Sequence, residues 1–219
     1  MTSQPDLAAD RERALALTPV SRETLARLDR FVALLLETQS HTNLIGPATV
    51  PQLWTRHIAD SLQLLDLAPD AKVWLDLGSG AGFPGLVIAC ALAERADAAV
   101  HLVESTGKKA AFLRGVAEAL ALPVTVHHIR VEQFSPAFSA QVITARALAP
   151  LPQLFAYVAP FLKSGAQALL PKGQDVEAEL TEAAKYWKIE ADLVASRTNP
   201  AGRIVVVRTL RPRARGRTT

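Results

Sequence analysis

Cysteine is almost missing from these 219 residues. Cys90 stands alone, so no intrachain disulfide can form and a reducing compartment is expected. Residues 1–16 mix acids and bases and hold no apolar h-region, so no signal peptide is expected. The longest apolar run, 83–93, is too short to span a bilayer. Cytoplasm is therefore the expected location, with no membrane partner. The histidines are scattered and offer no zinc-site spacing with a single cysteine. His127 and His128 are neighbours in a predicted strand, so they point to opposite faces and cannot chelate one ion together. No metal is expected. Internal repeats and low-complexity segments are also missing.

What is present is an apolar fraction of 49%, enough for a globular chain, in a length that suits one α/β domain with a modest extension. The net charge of +3 is uneven. Arg211, Arg213, Arg215 and Arg217 crowd the last nine residues, where no acid occurs. The body is near neutral and the tail basic, able to neutralise phosphates or merely to stay solvated. Before Lys72 only helices are predicted. Ser21 is a candidate N-cap for a stripe of Leu25, Leu28, Phe31, Val32 and Leu35. A second helix opens at 49–51 and carries Leu53, Trp54, Ile58, Leu62 and Leu65 on one side.

From Lys72 the pattern alternates. Strands are predicted at 72–77, 99–104, 123–129, 140–146, 166–171, 188–195 and 203–210, and helices at 84–95, 107–121, 151–162 and 175–186. Such alternation implies an α/β fold with a mostly parallel sheet and helices on both faces. No helix separates the last two strands, so they form an antiparallel hairpin. The expected architecture is Rossmann-like, with seven strands, an antiparallel final strand and an N-terminal helical cap. Residues 1–219 read as a single domain: 1–71 a helical extension packed on the sheet, 72–210 the α/β core, 211–219 the basic tail. A monomer is expected.

The run Trp74-Leu75-Asp76-Leu77-Gly78-Ser79-Gly80-Ala81-Gly82-Phe83-Pro84-Gly85 carries the strongest functional signal. A strand ends in a glycine loop, and Pro84 fits the first turn of a helix. Open α/β sheets bring bare backbone to a nucleotide-like ligand in this way. Phe83 occupies the third glycine position of a dinucleotide fingerprint, which ranks a nicotinamide cofactor last. The Asp-x-Gly-x-Gly-x-Gly pattern resembles motif I of class I S-adenosylmethionine (SAM) methyltransferases. Glu104 ends the second strand, 22 residues beyond Gly82, where an acid can bind ribose hydroxyls. Asp76 can hold the loop, or reach the ammonium of the methionine moiety directly or through water. Ser105-Thr106-Gly107-Lys108-Lys109 is not a phosphate loop, because Leu102 stands where that pattern needs glycine.

Arg146, at the end of the fourth strand, faces the ligand edge or pairs with an acid. Arg130, Val131 and Glu132 line the same rim, and Lys172-Gly173 follows the fifth strand on that edge. His57 and Asp60, three apart on a helix, can hydrogen-bond. The place after the fourth strand reads Ala145-Arg146-Ala147-Leu148-Ala149-Pro150, not the (Asn/Asp/Ser)-Pro-Pro-(Tyr/Phe) motif of exocyclic-amine methylation. Cys90 lies inside the helix after the glycine loop, a place for a core thiol rather than a pyrimidine carbon-5 nucleophile.

From Leu25 to Val207 the chain resembles the RsmG (GidB) family. The resemblance rests on Arg56-His57-Ile58-Ala59-Asp60-Ser61, the glycine run, Glu104-Ser105-Thr106-Gly107-Lys108-Lys109, Phe112-Leu113-Arg114, Arg130-Val131-Glu132, Arg146-Ala147 and Lys172-Gly173. Phe83 stands where many members have leucine and Glu104 where many have aspartate. Asn43-Leu44 match part of a Tyr-Asn-Leu-Thr element, from which Thr42 and Ile45 depart. The resemblance implies SAM-dependent methylation of guanine nitrogen-7 in 16S ribosomal RNA, with that RNA or a small-subunit particle as partner. It also implies that Gly78, Phe83, Val131, Glu132 and Arg146 contact the cofactor and Glu104 its ribose. Asp76, Gly80 and Gly82 join this set from the motif. Arg146 and Lys172 are the candidates for placing the RNA, and no general base is expected. A SAM methyltransferase of another substrate and a non-catalytic SAM-binding module remain open alternatives.

Overall fold

The computed structural model describes residues 7–213, which begin with two helices, α1 (Leu7–Leu17) and α2 (Arg22–Gln39). The mixed acid-base sequence of α1 hides it, since it buries only Asp10 and Ala14. α2 begins as predicted: the Ser21 side chain accepts from the Thr24 N–H at 3.1 Å, a cap worth about 1 kcal/mol. Its buried side holds Leu28, Phe31, Val32 and Leu35.

The second predicted helix is instead three kinds of helix in succession. A 3-10 stretch (Pro47–Gln52) passes into a π-helix (Trp54–Ala59) and then a single α turn, α3 (Asp60–Leu62). Two causes are visible. Pro51 has no N–H to donate inside the first stretch. The carboxylate of buried Asp10 accepts from the backbone N–H groups of Trp54 at 2.8 Å and Thr55 at 3.2 Å, which pins the start of the π-helix. π-helical turns occur often at functional sites.

The sheet follows: β1 (Val73–Leu77), α4 (Gly85–Leu92), β2 (Ala99–Val103), α5 (Gly107–Ala119), β3 (Val124–His127), β4 (Val142–Thr144), α6 (Leu151–Leu162), β5 (Gln167–Lys172), α7 (Val176–Ala183), β6 (Trp187–Ala195) and β7 (Arg203–Pro212). The strand order is β3-β2-β1-β4-β5-β7-β6. The first five strands are parallel, while β7 runs antiparallel to both β5 and β6. The predicted seven strands and closing hairpin are present. β7 runs further than predicted, to Pro212, so Arg211 is a strand residue paired with Lys188 and not part of a tail. Arg215 and Arg217 lie outside the described residues.

Alternation along β1 serves two cores. Trp74 packs with one face, Leu75 and Leu77 with the other. On the first face α4 is apolar on every side, because it is buried between the sheet and the N-terminal helices. Leu28, Phe31, Trp54 and Ile58 share one cluster with Leu86 and Ile88. On the second face α6 and α7 cover Leu75, Ile143 and Leu170. Among the described residues no helix is long and apolar enough to cross a membrane.

Candidate functional site

The parallel strands end at one edge of the sheet, and the polar side chains gather there. β1 passes into the glycine loop with Gly78, Gly80 and Gly82 at φ of +70°, +56° and +98°. These are backbone conformations that L side chains avoid. The Gly78 and Ser79 N–H groups donate to the Val103 carbonyl at 2.9 and 3.0 Å, docking the loop on the end of β2. Glu104, 7% exposed, accepts from the Gly80 N–H at 2.9 Å and the Thr106 N–H at 2.6 Å. One carboxylate thus holds two loops and still faces a cavity of about 470 Å³.

Of the two roles considered for Asp76, the geometry favours holding the loop. Its side chain is buried behind the loop and is not part of the cavity wall. One oxygen accepts from Thr144 Oγ1 at 2.8 Å and the other from the Gly85 N–H at 3.2 Å. Burial pushes its carboxyl up to about 6, against the pull of these hydrogen bonds. Gly82 also lies outside the wall. A Cβ there would collide with Leu86, so its smallness serves packing. Gly78, Gly80, Phe83, Glu104, Val131, Glu132 and Arg146 do line the cavity.

Sequence reasoning missed two parts of this wall. Gln39 accepts from the Leu44 and Ile45 N–H groups at 2.8 and 3.0 Å and donates to the Ile45 carbonyl at 2.9 Å. This folds the 44–45 segment over the cavity. Tyr157, from α6, donates its hydroxyl to Glu132 at 2.7 Å, a bond that holds the Glu132 carboxyl below its ordinary range. The Asn43-Leu44 match was the available signal for the first. None existed for the second, which joins residues 25 apart on different elements.

Arg146 stands between this cavity and a second one of about 670 Å³, and lines both. It donates to the Arg56 carbonyl at 3.0 Å and to His57 Nδ1 at 2.6 Å, and lies 3.5 Å from Asp60 Oδ2. Its guanidinium sits 5.4 Å from the centre of the Phe83 ring, on which His57 also stacks at 4.9 Å. Arginine can only donate, so Nδ1 of His57 must accept and its Nε2–H donates to Thr49 Oγ1 at 3.0 Å. Burial, with the charges of Arg146 and Arg56, pulls His57 down to about 3 and keeps it neutral. His57 and Asp60 thus converge on Arg146 instead of bonding each other. Asp60 also accepts from Thr198 Oγ1 at 2.8 Å, tying in the β6–β7 connection. Ala147 follows at φ +52°, a strained value for alanine on the wall shared by the two cavities.

Lys172 lines only the second cavity. Its ammonium pairs with Glu179 at 2.7 Å and donates to the Ala149 carbonyl at 3.3 Å. Arg56 and Arg203 add cations to the same wall. Lys109 and Arg130 lie at the first cavity, whereas Lys108 borders a separate groove beside Leu34.

A family model described as "rRNA small subunit methyltransferase G" matches residues 24–201. A relative from Bradyrhizobium sp. called "Ribosomal RNA small subunit methyltransferase G" is 62% identical over 203 residues, covering 92% of this chain and 91% of the relative. A protein of the same name from Rhodopseudomonas palustris is 57% identical over 213 residues, covering 95% and 90%. Among solved structures, a SAM-dependent methyltransferase from Aquifex aeolicus superposes with a TM-score of 0.56 at 12% identity, covering 80% of this chain and 97% of its own. A structure from Klebsiella pneumoniae described as an O-methyltransferase gives 0.58 at 15% identity, covering 92% and 96%. At such identities the likeness is one of fold, that of the class I methyltransferases.

Proposed function

Because this chain belongs to the rRNA small subunit methyltransferase G family, we propose that it transfers a methyl group from SAM to nitrogen-7 of a guanine in 16S ribosomal RNA. The substrate is the RNA or the small-subunit particle, in the cytoplasm. The observation that carries this reading is a pair of cavities meeting at Arg146, one lined by a glycine loop and a buried acid, the other by four cations (Arg56, Arg146, Lys172, Arg203) against three acids (Asp60, Asp175, Glu179).

The first cavity suits SAM. Gly80 has no side chain, and a Cβ built there meets nothing closer than the Gly78 carbonyl at 3.8 Å, so the loop backbone is open to a ligand. Glu104 spends one lone pair of each oxygen on backbone N–H groups, which leaves acceptor capacity for ribose hydroxyls. Gly78, Phe83, Val131, Glu132 and Arg146 complete the binding set. Asp76 and Gly82 act behind it, as loop holder and packing glycine. When bound, SAM supplies an electrophilic methyl group.

Guanine presents adjacent acceptors, N7 and O6, on one edge. His57, Asp60 and the Arg56 carbonyl already occupy part of the Arg146 fork. The remaining N–H groups can hold O6 without covering N7. Arg56 and Arg203 attract the RNA backbone into the second cavity, and Lys172, held by Glu179, sets its far wall. N7 carries no proton, so the protein need only align two reacting atoms. No side chain must act as a base. Cys90 is no nucleophile either, since burial pushes its thiol up to about 12.

Nucleoside mass spectrometry of ribosomal RNA from cells with and without this protein tests the reading. The expected result is loss of one 7-methylguanosine in 16S RNA. Unchanged 7-methylguanosine, with 5-methylcytidine or N6-methyladenosine lost instead, would give the substrate to another base. Tight SAM binding with no RNA methylated at all would leave a binding module.

A further inference from the structure

The end of the β6–β7 hairpin furthest from the cleft concentrates positive charge that makes no ion pair among the described residues. Lys188 and Arg211 stand directly opposite each other across the antiparallel pair, and both are exposed. Like charges in that register cost stability. Among the described residues neither makes an ion pair: Asp192 is taken by Arg208 at 2.7 Å and Glu182 by Lys185 at 2.5 Å, and Glu190, two residues from Lys188 on the same face, is the single acid beside the three cations Lys188, Arg211 and Arg213. Arg213 extends the cluster. Its backbone N–H bonds the Tyr186 carbonyl at 2.7 Å and its Nε the Trp187 carbonyl at 3.2 Å, and among the described residues its two terminal nitrogens make no hydrogen bond. Tyr186 is 58% exposed, far more than any other aromatic of the described residues. The sequence continues with Arg215 and Arg217.

Topology places this cluster away from the cleft. β7 starts at the ligand edge, where Arg203 pairs with Lys172, and ends where Pro212 pairs with Trp187. At about 3.3 Å per residue the strand is roughly 30 Å long.

We propose that this hairpin end is a second contact for ribosomal RNA, a patch that binds phosphates through Lys188, Arg211 and Arg213 and can stack a base on Tyr186. It rests on the RNA methyltransferase reading above. An RNA anchored in the cleft meets the patch at high effective concentration, so each weak contact adds to one attachment. The cleft and the patch together measure the RNA. Only a folded segment long enough to span about 30 Å engages both.

The test compares the wild-type chain with a Lys188→Ala/Arg211→Ala/Arg213→Ala variant. The probes are a long folded 16S fragment and a short hairpin holding only the target guanine. On the long fragment the variant should bind at least tenfold more weakly at low salt. Its slope of log affinity against log salt should flatten by up to about 2.7, at about 0.9 per duplex phosphate contact. On the short hairpin, affinity and single-turnover methylation should match the wild type. Tm should change little, because relief of the opposing like charges offsets loss of the Arg213 Nε bond to the Trp187 carbonyl. Identical affinities and slopes on the long fragment would overturn the proposal, as would an equal loss on the short hairpin. So would unchanged RNA binding with lost attachment to anionic lipid vesicles. Failure of the wild type to methylate either RNA would count against the proposed reaction alone, since the binding comparison is read without turnover.

Discussion

At the scale of single residues, Glu104 does more than its offset from the glycine loop suggested. It was legible as a candidate ribose acceptor because its position relative to Gly82 is a local spacing. Its grip on the Gly80 and Thr106 N–H groups was not, since those bonds exist only once two loops meet. Glu104→Ala should therefore remove a ligand acceptor and relax the glycine loop together. SAM affinity measured by calorimetry should drop roughly ten- to a hundredfold, from the loss of hydrogen bonds worth about 1.5–3 kcal/mol. RNA affinity without SAM should barely move. An unchanged SAM dissociation constant would remove Glu104 from the cofactor site.

Among the elements, the β1–loop–α4 unit was legible nearly whole, because glycine spacing, a strand run and an apolar helix sit side by side in the chain. Which glycines line the cavity and which serve packing was not legible. Gly85, at the start of α4, has Leu102 and the Asp76 carboxylate pressed against the place a Cβ would take, with Asp76 Oδ2 at 2.8 Å. Gly115, in α5, has nothing within 4 Å. Gly85→Ala should lower unfolding free energy by about 1–3 kcal/mol through overpacking. Gly115→Ala should raise it by about 0.5–1 kcal/mol through helix propensity. Urea melts of the two variants check both signs. Equal effects would mean that the β1–α4 junction is loosely packed. The helical run before β1 was the least legible element, because its change of helix type depends on the Asp10 carboxylate of a different helix.

For the molecule as a whole, two buried groups shape stability against pH with opposite signs. Folded His57 titrates near 3, against an ordinary value of 6.5. Between those values the unfolded chain binds more protons, so the His57 contribution is complete above pH 6.5 and is lost as pH falls toward 3. Folded Asp76 titrates near 6, against 3.8. Across that window the folded chain binds more protons, so the Asp76 contribution grows as pH falls and softens the acid loss. His57→Gln leaves Asp76 in place and should reduce the loss between pH 6.5 and 5 by about 2 kcal/mol relative to wild type, at 1.36 kcal/mol per pH unit. Urea melts at pH 5 and 6.5 provide the measurement. Parallel acid slopes in the two proteins would mean that His57 is protonated freely in the fold.

The sequence by itself determined the α/β alternation, the antiparallel last strand, the glycine loop with its acid, and the family. Each is written in periodicity or spacing over a few tens of residues, where chain geometry leaves little choice. Only the tertiary structure decided that Asp76 stands behind the loop, that Gly82 packs against Leu86, and that Arg211 and Arg213 lie at the far end of β7. The same holds for Arg146, whose partners His57 and Asp60 lie 89 and 86 positions away in the chain. A half-buried guanidinium must find acceptors somewhere, but which ones depends on how the N-terminal helices close over the sheet edge. That closure is set by the packing of α4 between two layers, not by any local pattern around Arg146.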